Sequence, residues 1–582
     1  MDTQPPDPKG PWQKSSENRS PRPSHRKLLF LLELLIPAAI LLLVAVGMVT
    51  GYLQKWLWMG QLKYTGIFWT LFSIQWAMFF TAFAFVFLFM WINLRQALRN
   101  CGVVGDGAGS TKSVMFASTK AGDQIDLELT PRLLSSTVVI LSLGLAWLAA
   151  DVFFGQWDTY LRLRYGGSFG VSDPLYGIDI GFYVFRLPFY QLLQTSLSLV
   201  TIVAIMGVAS IYANLKLLQS RRGSKAIWGD NATTHISVLL FILIADWAFG
   251  FFLDHYELVY STMGVVYGAG FTADHVTRVA LWIMTAVSVA GCALLALNIF
   301  RPRVLPILAG AGIYIGIYVV AILLLPGLFQ QFVVVPSELA FETPYLVHYI
   351  ESTRQAYDLQ DIQETSYPAL ADLTPAVLAR NQDTIENIRL WDARPLLQMY
   401  QQTQAIRLYY EFYNVGVDRY HLKDGYHQVM LATRELSPNL PQAAETWVNE
   451  YLEFTHGYGL VMNLVSKTVG EGFPQYLIEN VPPTSTEGLT SAQPAVYYGE
   501  TMPGYRIVAT GTKEFDYPQG NDNVYTSYAG TGGIPLDSFW RRVLFAWTQG
   551  DINILLTTYL QPESRIQIWR DIQNRYLLNP AE

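Results

Sequence analysis

Cysteine is almost missing from this chain: its 582 residues hold two, Cys101 and Cys292. One falls in an expected loop and the other inside an apolar stretch, so the C-terminal region has none. A disulfide framework is excluded there, and so is a cysteine-based zinc site. Charge is scarce too. Charged residues are 15% of the chain, against roughly 25% in an ordinary soluble protein. The net charge is −7 and no basic stripe stands out, which argues against nucleic acid, because neutralising phosphates takes clustered Lys and Arg.

What is present is hydrophobicity, unevenly spread. Apolar residues make up 51% of the chain, and the long runs lie before about Gln330. Beyond that point the composition is that of a soluble domain rich in Tyr, Glu, Arg and Pro, large enough for a core of its own. A bilayer core of about 30 Å needs roughly 20 apolar residues per helix. Seven stretches qualify: Leu28 to Thr50, Gly66 to Leu94, Leu133 to Phe154, Leu192 to Ala213, His235 to Leu253, Val276 to Phe300, and Val304 to Phe329. The first follows a basic, Pro-rich tail. Its apolar run is too long for a signal peptide and no A-x-A-like site follows, so an uncleaved anchor is expected.

Lys and Arg set the orientation. The tail carries Lys9, Lys14, Arg19, Arg22, Arg26 and Lys27, and the alternate loops carry Arg95, Arg99, Lys112, Lys120, Arg132, Lys216, Arg221, Arg222, Lys225, Arg301 and Arg303. The opposite side has only Lys55, Lys63, Arg162, Arg164, Arg186 and the helix-edge Arg278. The N-terminus is therefore expected inside, and seven spans put the C-terminal domain outside. Tyr52, Trp56, Trp58 and Trp91 fall at expected interfaces. Gly312 and Gly316 form a GxxxG pair suited to packing within the bundle.

From Ser337 the pattern becomes mixed. Thr374 and Pro375 open a helix as N-cap and first helical residue. Asp392 to Tyr413 reads as an amphipathic helix. Val415 to Leu422 and Tyr426 to Arg434 read as strands joined through Lys423-Asp424-Gly425, a hairpin signal. Helices are expected near Pro441 to Phe454, Pro535 to Trp547 and Glu563 to Leu577, with short strands at Ala495 to Tyr498 and Tyr505 to Ala509.

Several long motifs occur in order. Asp173-Pro174-Leu175-Tyr176-Gly177-Ile178-Asp179-Ile180-Gly181-Phe182-Tyr183 precedes the fourth stretch. Arg389-Leu390-Trp391-Asp392-Ala393-Arg394-Pro395, Val417-Asp418-Arg419-Tyr420, Thr455-His456-Gly457-Tyr458-Gly459 and Glu514-Phe515-Asp516-Tyr517-Pro518 follow. With these the chain, from about Trp56 onward, resembles the large bacterial multi-pass proteins of uncharacterised protein family 0182 (UPF0182). The resemblance implies seven spans, a large extracytoplasmic domain and the bacterial cell (inner) membrane. It implies no activity. Family members continue well past Glu563-Ser564-Arg565-Ile566, so this chain is expected to be short at the C-terminus.

Candidate chemistry is sparse. Asp246 lies deep in the fifth stretch, where an acid costs several kcal/mol unless it is paired, protonated or facing a cavity. It suits a proton or cation relay; the plainer reading is a structural pair with Arg278. Glu33 and Asp151 lie near helix ends, where they snorkel or cap. Asp254, His255, Asp274 and His275 flank one loop and offer four metal ligands if they converge, although no short ligand spacing supports this. Gly166-Gly167-Ser168-Phe169-Gly170 matches a nucleophile elbow, which needs a strand before it. Gly105 to Lys112 lacks the lysine placement of a phosphate loop and reads as a linker. Gly530 to Gly533 lacks a dinucleotide-binding context, and Asp516 and Asp522 suit calcium or plain turns. His456 suits a general base or a sugar contact, the plainer reading being a structural histidine.

The expected architecture is an all-α seven-helix transmembrane bundle (28–330) behind a cytoplasmic tail (1–27), followed by an α+β extracytoplasmic domain (331–582). The leading functional expectation is an envelope binding or scaffolding protein, leaning away from an enzyme, with the bilayer and envelope proteins or glycans as partners. A proton- or ion-coupled transporter using Asp246 is one alternative; an outer-face hydrolase or transferase using His456 or Asp516 is the other. No cofactor is named by the sequence.

Overall fold

The computed structural model describes residues 24–101, 114–116, 127–129, 131–221, 229–367, 369, 373–437, 440, 442, 445–489, 491–502, 504–520, 522–572 and 575. The basic tail up to residue 23, the Gly105 to Lys112 linker with Lys120, and Lys225 lie outside the described residues. The chain divides into two compact units, one comprising Met1–Phe68 with Leu370–Glu582, the other Trp69–Ala369.

In the second unit, helices dominate because almost every side chain in the runs is apolar. Six helices among the described residues are long and apolar enough to cross a membrane: Thr65–Asn100, Arg132–Gly155, Phe182–Asn214, Asp230–Tyr260, Ala273–Phe300 and Val304–Ala356. They hold the expected second to seventh stretches. The first expected stretch falls in the helix Ser24–Gln61 of the other unit, where the side chains of 24–38 lie outside the described residues.

Small residues line the packed interior. Ala97, Ala146, Ala204 and Val208 are fully buried around Met90 and Leu94, so backbones approach closely. The outward surface is apolar instead of charged: Leu297 and Phe300 are 73% and 83% exposed. That inversion suits a lipid solvent. Phe79, Phe83, Phe87 and Trp91, four residues apart, stack in one ladder with centroids 6.1–6.3 Å apart. Two of the helices open with single π-helical turns, Phe182–Arg186 and Ala273–Thr277, a feature that concentrates at functional sites.

The other unit is strand-rich. An antiparallel five-stranded sheet runs in the order Thr484–Ser485, Phe473–Glu479, Leu460–Val469, Gly425–Thr433, Gly416–Leu422. Its hairpin pairs Leu422 with Gly425, and Gly425 adopts φ 135°, a value open to glycine alone at little cost. The expected hairpin is therefore present. On one face Met430, Val461 and Val465 receive Leu396 and Tyr400 of the helix Ala393–Thr403; Val429, Met462, Leu464 and Leu477 fill the other. A second core gathers Ile507, Ile534, Leu536, Phe545 and Ile566, with Leu57 and Trp58 of the first helix packed against it.

Thr374 caps its helix as expected, accepting from the Val377 N–H at 3.3 Å. Three expectations are met only in part. The helix from Asp392 stops at Thr403 and does not reach Tyr413. The Gln404 carbonyl is captured by the buried Arg434 guanidinium at 2.8 Å, and Tyr410–Glu411 pairs as a strand with Glu435–Leu436. Near Pro441 to Phe454 a helix runs from Trp447 to Glu453 and Gln442 sits in a 3-10 turn; Pro441, Ala443 and Ala444 lie outside the described residues. Glu563 to Leu577 is not one helix: Arg565–Gln567 is the middle strand between Arg506–Val508 and Ile534–Pro535, because burial of Ile566 in the second core outweighs local propensity, and helix begins only at Ile572. Residues 573 and 574, and those from 576, lie outside the described ones.

Candidate functional site

Helix Asp230–Glu257 carries His235, Leu239, Leu243, Asp246, Gly250, Asp254 and Glu257. Steps of three and four residues put all of them on one face. Helix Leu187–Arg221 answers with Gln191, Gln194, Ser198, Thr201, Ala204, Val208 and Tyr212 at the same steps. Where the two faces meet, polar side chains pair. Gln191 donates to Glu257. Ser198 donates to the Asp246 carboxylate, and Gln194 Nε2 donates to it at 3.3 Å. Further along, Tyr212 and His235 Nδ1 lie 2.9 Å apart, and His235 Nε2 is 3.0 Å from Asn93 Oδ1. Asn100 donates to the Tyr212 hydroxyl at 2.9 Å.

Between Asp246 and His235 the seam is blocked. Leu239 and Leu243 are buried there, and Leu239 shares a core with Ala204 and Val208. The Thr201 hydroxyl is fully buried in this stretch without a partner among the described residues. On the Asp254 side a cavity of about 410 Å³ opens, lined by Gln194, Trp247, Gly250, Phe251, Asp254, Tyr314, Ile315 and Tyr318. Gly250 keeps it open, since a Cβ there would lie 2.8 Å from Gln194 Nε2. Gln194 thus touches both the cavity and the buried carboxylate.

The expected pairing of Asp246 with Arg278 is not formed. Arg278 lies one turn after Asp274 and holds it, Nη1 to Oδ1 at 2.7 Å; Tyr345 also donates to Asp274 at 2.8 Å. No cation is bonded to Asp246 among the described residues. Asp254, His255, Asp274 and His275 do not converge, and among the described residues no group of three or more His, Cys, Asp or Glu is placed to hold a metal ion. His275 stacks on Phe271 at 4.2 Å. His255 packs against Tyr176 and Trp282 at 4.8 and 5.1 Å. Asp254 faces the cavity.

Ser168 follows the helix Trp157–Tyr165, not a strand, so no elbow forms. Its hydroxyl donates to Asp179 at 2.5 Å, and the N–H groups of Phe169, Gly170 and Gly181 donate to the same carboxylate. The hydrogen bond from Ser168 and those backbone donors hold the Asp179 carboxyl below its usual range. Asp173 does the same work one turn earlier, accepting from Leu175, Tyr176, Ile178 and the Tyr183 hydroxyl. The motif's two acids therefore fix a loop.

In the strand-rich unit His456 is buried and both ring nitrogens are engaged. Nδ1 lies 2.8 Å from Thr455 Oγ1, and Nε2 lies 3.3 Å from Asp516 Oδ1. Burial alone would lower its pKa, but hydrogen bonds and charge from Asp516 and Glu514 outweigh it and hold the ring above the ordinary histidine range. Glu514 is fully buried and accepts from Thr455 at 2.5 Å and Tyr497 at 2.9 Å. Burial would raise it, and the bonds to His456 and Thr455 bring it below its usual value instead. Arg570 is buried beside them on the carbonyls of Tyr497 and Thr455, and burial lowers it to about 9. His456 and Asp516 are thus brought together, but the histidine has no free nitrogen to offer a substrate.

The sequence reading missed Gln194, Ser198, Glu257, Tyr212 and His235. Each alone is an ordinary polar residue in an apolar run. For His235 and Glu257 the three-and-four spacing with Asp246 along one helix was the available signal; for Gln194, Ser198 and Tyr212, on another helix, there was none.

The family model described as "Uncharacterised protein family (UPF0182)" matches residues 32–577. A UPF0182 protein of Salinibacter ruber is 39% identical over 95% of this chain and 57% of its own length. One of Pelotomaculum thermopropionicum is 37% identical over 89% and 57%, and one of Cupriavidus necator 38% over 93% and 58%. The chain thus spans less than two thirds of these curated relatives. No solved structure matches. With the match running through both units, the chain belongs to the uncharacterised protein family UPF0182.

Proposed function

We propose that this chain is a bacterial cell-membrane protein in which the seam between helices Leu187–Arg221 and Asp230–Glu257 binds an exchangeable proton or monovalent cation at Asp246, as part of ion-coupled transport. One observation carries this reading. Asp246 is buried within a span and held by two neutral side chains, one of which lines a cavity. An intramembrane acid without a counter-cation is the arrangement expected of an ion pathway. The buried leucines supply the block that keeps such a site open to one side at a time.

In this reading the helix Ser24–Gln61 is the first of seven spans, the N-terminus is cytoplasmic and 331–582 is extracytoplasmic, as the Lys and Arg distribution supports. The cavity end of the seam then faces out. The size of the strand-rich unit supports a second role, binding envelope proteins or glycans.

The test uses the full chain in proteoliposomes on a solid-supported membrane. Steps in pH or sodium should give transient currents that Asp246→Asn removes. Equal currents from both proteins, or none from the wild type, would overturn the proposal.

A further inference from the structure

Helix Phe539–Gln549 has two apolar faces. One buries Phe545 and Ala546 in the second core, and Leu544 is buried beside them in sequence. At 100° per residue, Phe539, Trp540, Val543 and Trp547 share the other. Soluble helices are polar on that side. Here Trp540 is 76% exposed and Trp547 51%, and Ile552 and Leu556 extend the patch at 59% and 71%. Trp and Phe beside Arg541 and Arg542 match the composition of helices that lie in a membrane interface.

Its location supplies the second argument. The helix packs against Ser24–Gln61, and its Arg541 lines a cavity of about 330 Å³ with Trp56, Leu57, Gly60, Gln61 and Arg565. Trp56 lies six residues past Thr50, the end of the apolar run, or about 9 Å at 1.5 Å per residue. The headgroup zone is about 5–8 Å deep on each side of the hydrocarbon. Trp56 therefore stands at the outer edge of the headgroup zone, and Arg541, which shares that cavity with it, brings the ridge of its helix to the same end of the first helix.

We infer that the Phe539–Gln549 helix is a membrane-interfacial element whose Phe539, Trp540 and Trp547 ridge inserts into the lipid surface at the C-terminal end of the first helix. This rests on that helix being a span. It gives the strand-rich unit a second attachment to the bilayer. The unit is then held against lipid by side chains as well as by its covalent link.

The test places one nitroxide at a time in the full chain, in nanodiscs of phosphatidylcholine and phosphatidylglycerol. The background is Cys101→Ser with Cys292→Ser. Labels go on Trp540→Cys, Trp547→Cys, the polar control Glu563→Cys and the span reference Leu43→Cys. The expected result is that labels at 540 and 547 collide with oxygen more than with a water-soluble nickel chelate, that 563 shows the reverse, and that 43 is deeper still. Labels at 540 and 547 behaving like 563, with 43 deep, would overturn the inference and leave the span standing. Spin–spin broadening between copies at 540 would overturn it in favour of a dimer face. A water-exposed label at 43 would remove the span and the inference together. Because the labelled sites are exposed, loss of folding is not expected. Quenching by brominated lipid of wild type against Trp540→Phe checks the same point without a label: a smaller quench in the variant supports insertion, an equal one contradicts it.

Discussion

Gln194 donates to the Asp246 carboxylate at 3.3 Å while lining the cavity that reaches Asp254. That relation makes Asp246 accessible through one side chain. Gln194→Leu should keep the helix packing and cut that link. Currents driven by pH or sodium steps are expected to fall about tenfold or more, which a loss of about 1.4 kcal/mol in binding produces. Unchanged currents would show that ions reach Asp246 by another route.

Leu239 and Leu243 close the seam toward His235. Leu243→Ser should open a leak, seen as faster collapse of an imposed pH gradient in proteoliposomes. Its stability cost, about 2–5 kcal/mol by analogy with truncation of a buried leucine, is read separately by thermal unfolding. A folded variant with wild-type gradient decay would contradict the plug.

His456 and Glu514 make the strand-rich unit sensitive to pH in both directions. His456 is held above its unfolded value, so its contribution is complete below that value and is lost as pH rises through the folded one. Glu514 is held below its unfolded value, so its contribution is present above that value and is lost as pH falls through the folded one. Both are complete only between about pH 4.3 and about 6.5, the ordinary Glu and His values. Hydrogen exchange of peptides around Thr455 to Val461, corrected for intrinsic rate, should be slowest in that window. His456→Gln should abolish the loss on the alkaline side.

Gly457 has no room for a side chain: a Cβ would lie 2.2 Å from the Arg434 carbonyl and 2.7 Å from Glu435 Cα. Gly457→Ala is expected to destabilise by about 3 kcal/mol or more, beyond the usual range for overpacking, because the clash is with backbone. Unfolding of the purified variant at an unchanged midpoint would refute this.

Much of the membrane unit was legible because a single rule, about 20 apolar residues per span, reads from sequence alone. The hairpin at Lys423-Asp424-Gly425 was legible for the same kind of reason, since turn chemistry is local. The helix from Asp392 was overrun because its true end depends on Arg434, thirty residues away from Gln404. The strand Arg565–Gln567 was misread as helix because its partners lie at Arg506–Val508 and Ile534–Pro535. At the site, Asp246 could be found as an oddity in an apolar run. Its partners could not be assigned, because pairing of two spans is not written in either one.

The transport proposal turns on Asp246 holding an exchangeable ion. Infrared difference spectroscopy of the full chain in lipid, with pH or sodium exchanged over the film, tests it most directly. A carboxyl band is expected in the exchange spectrum that Asp246→Asn removes while the amide bands stay the same. An exchange spectrum unaltered by that substitution would contradict it.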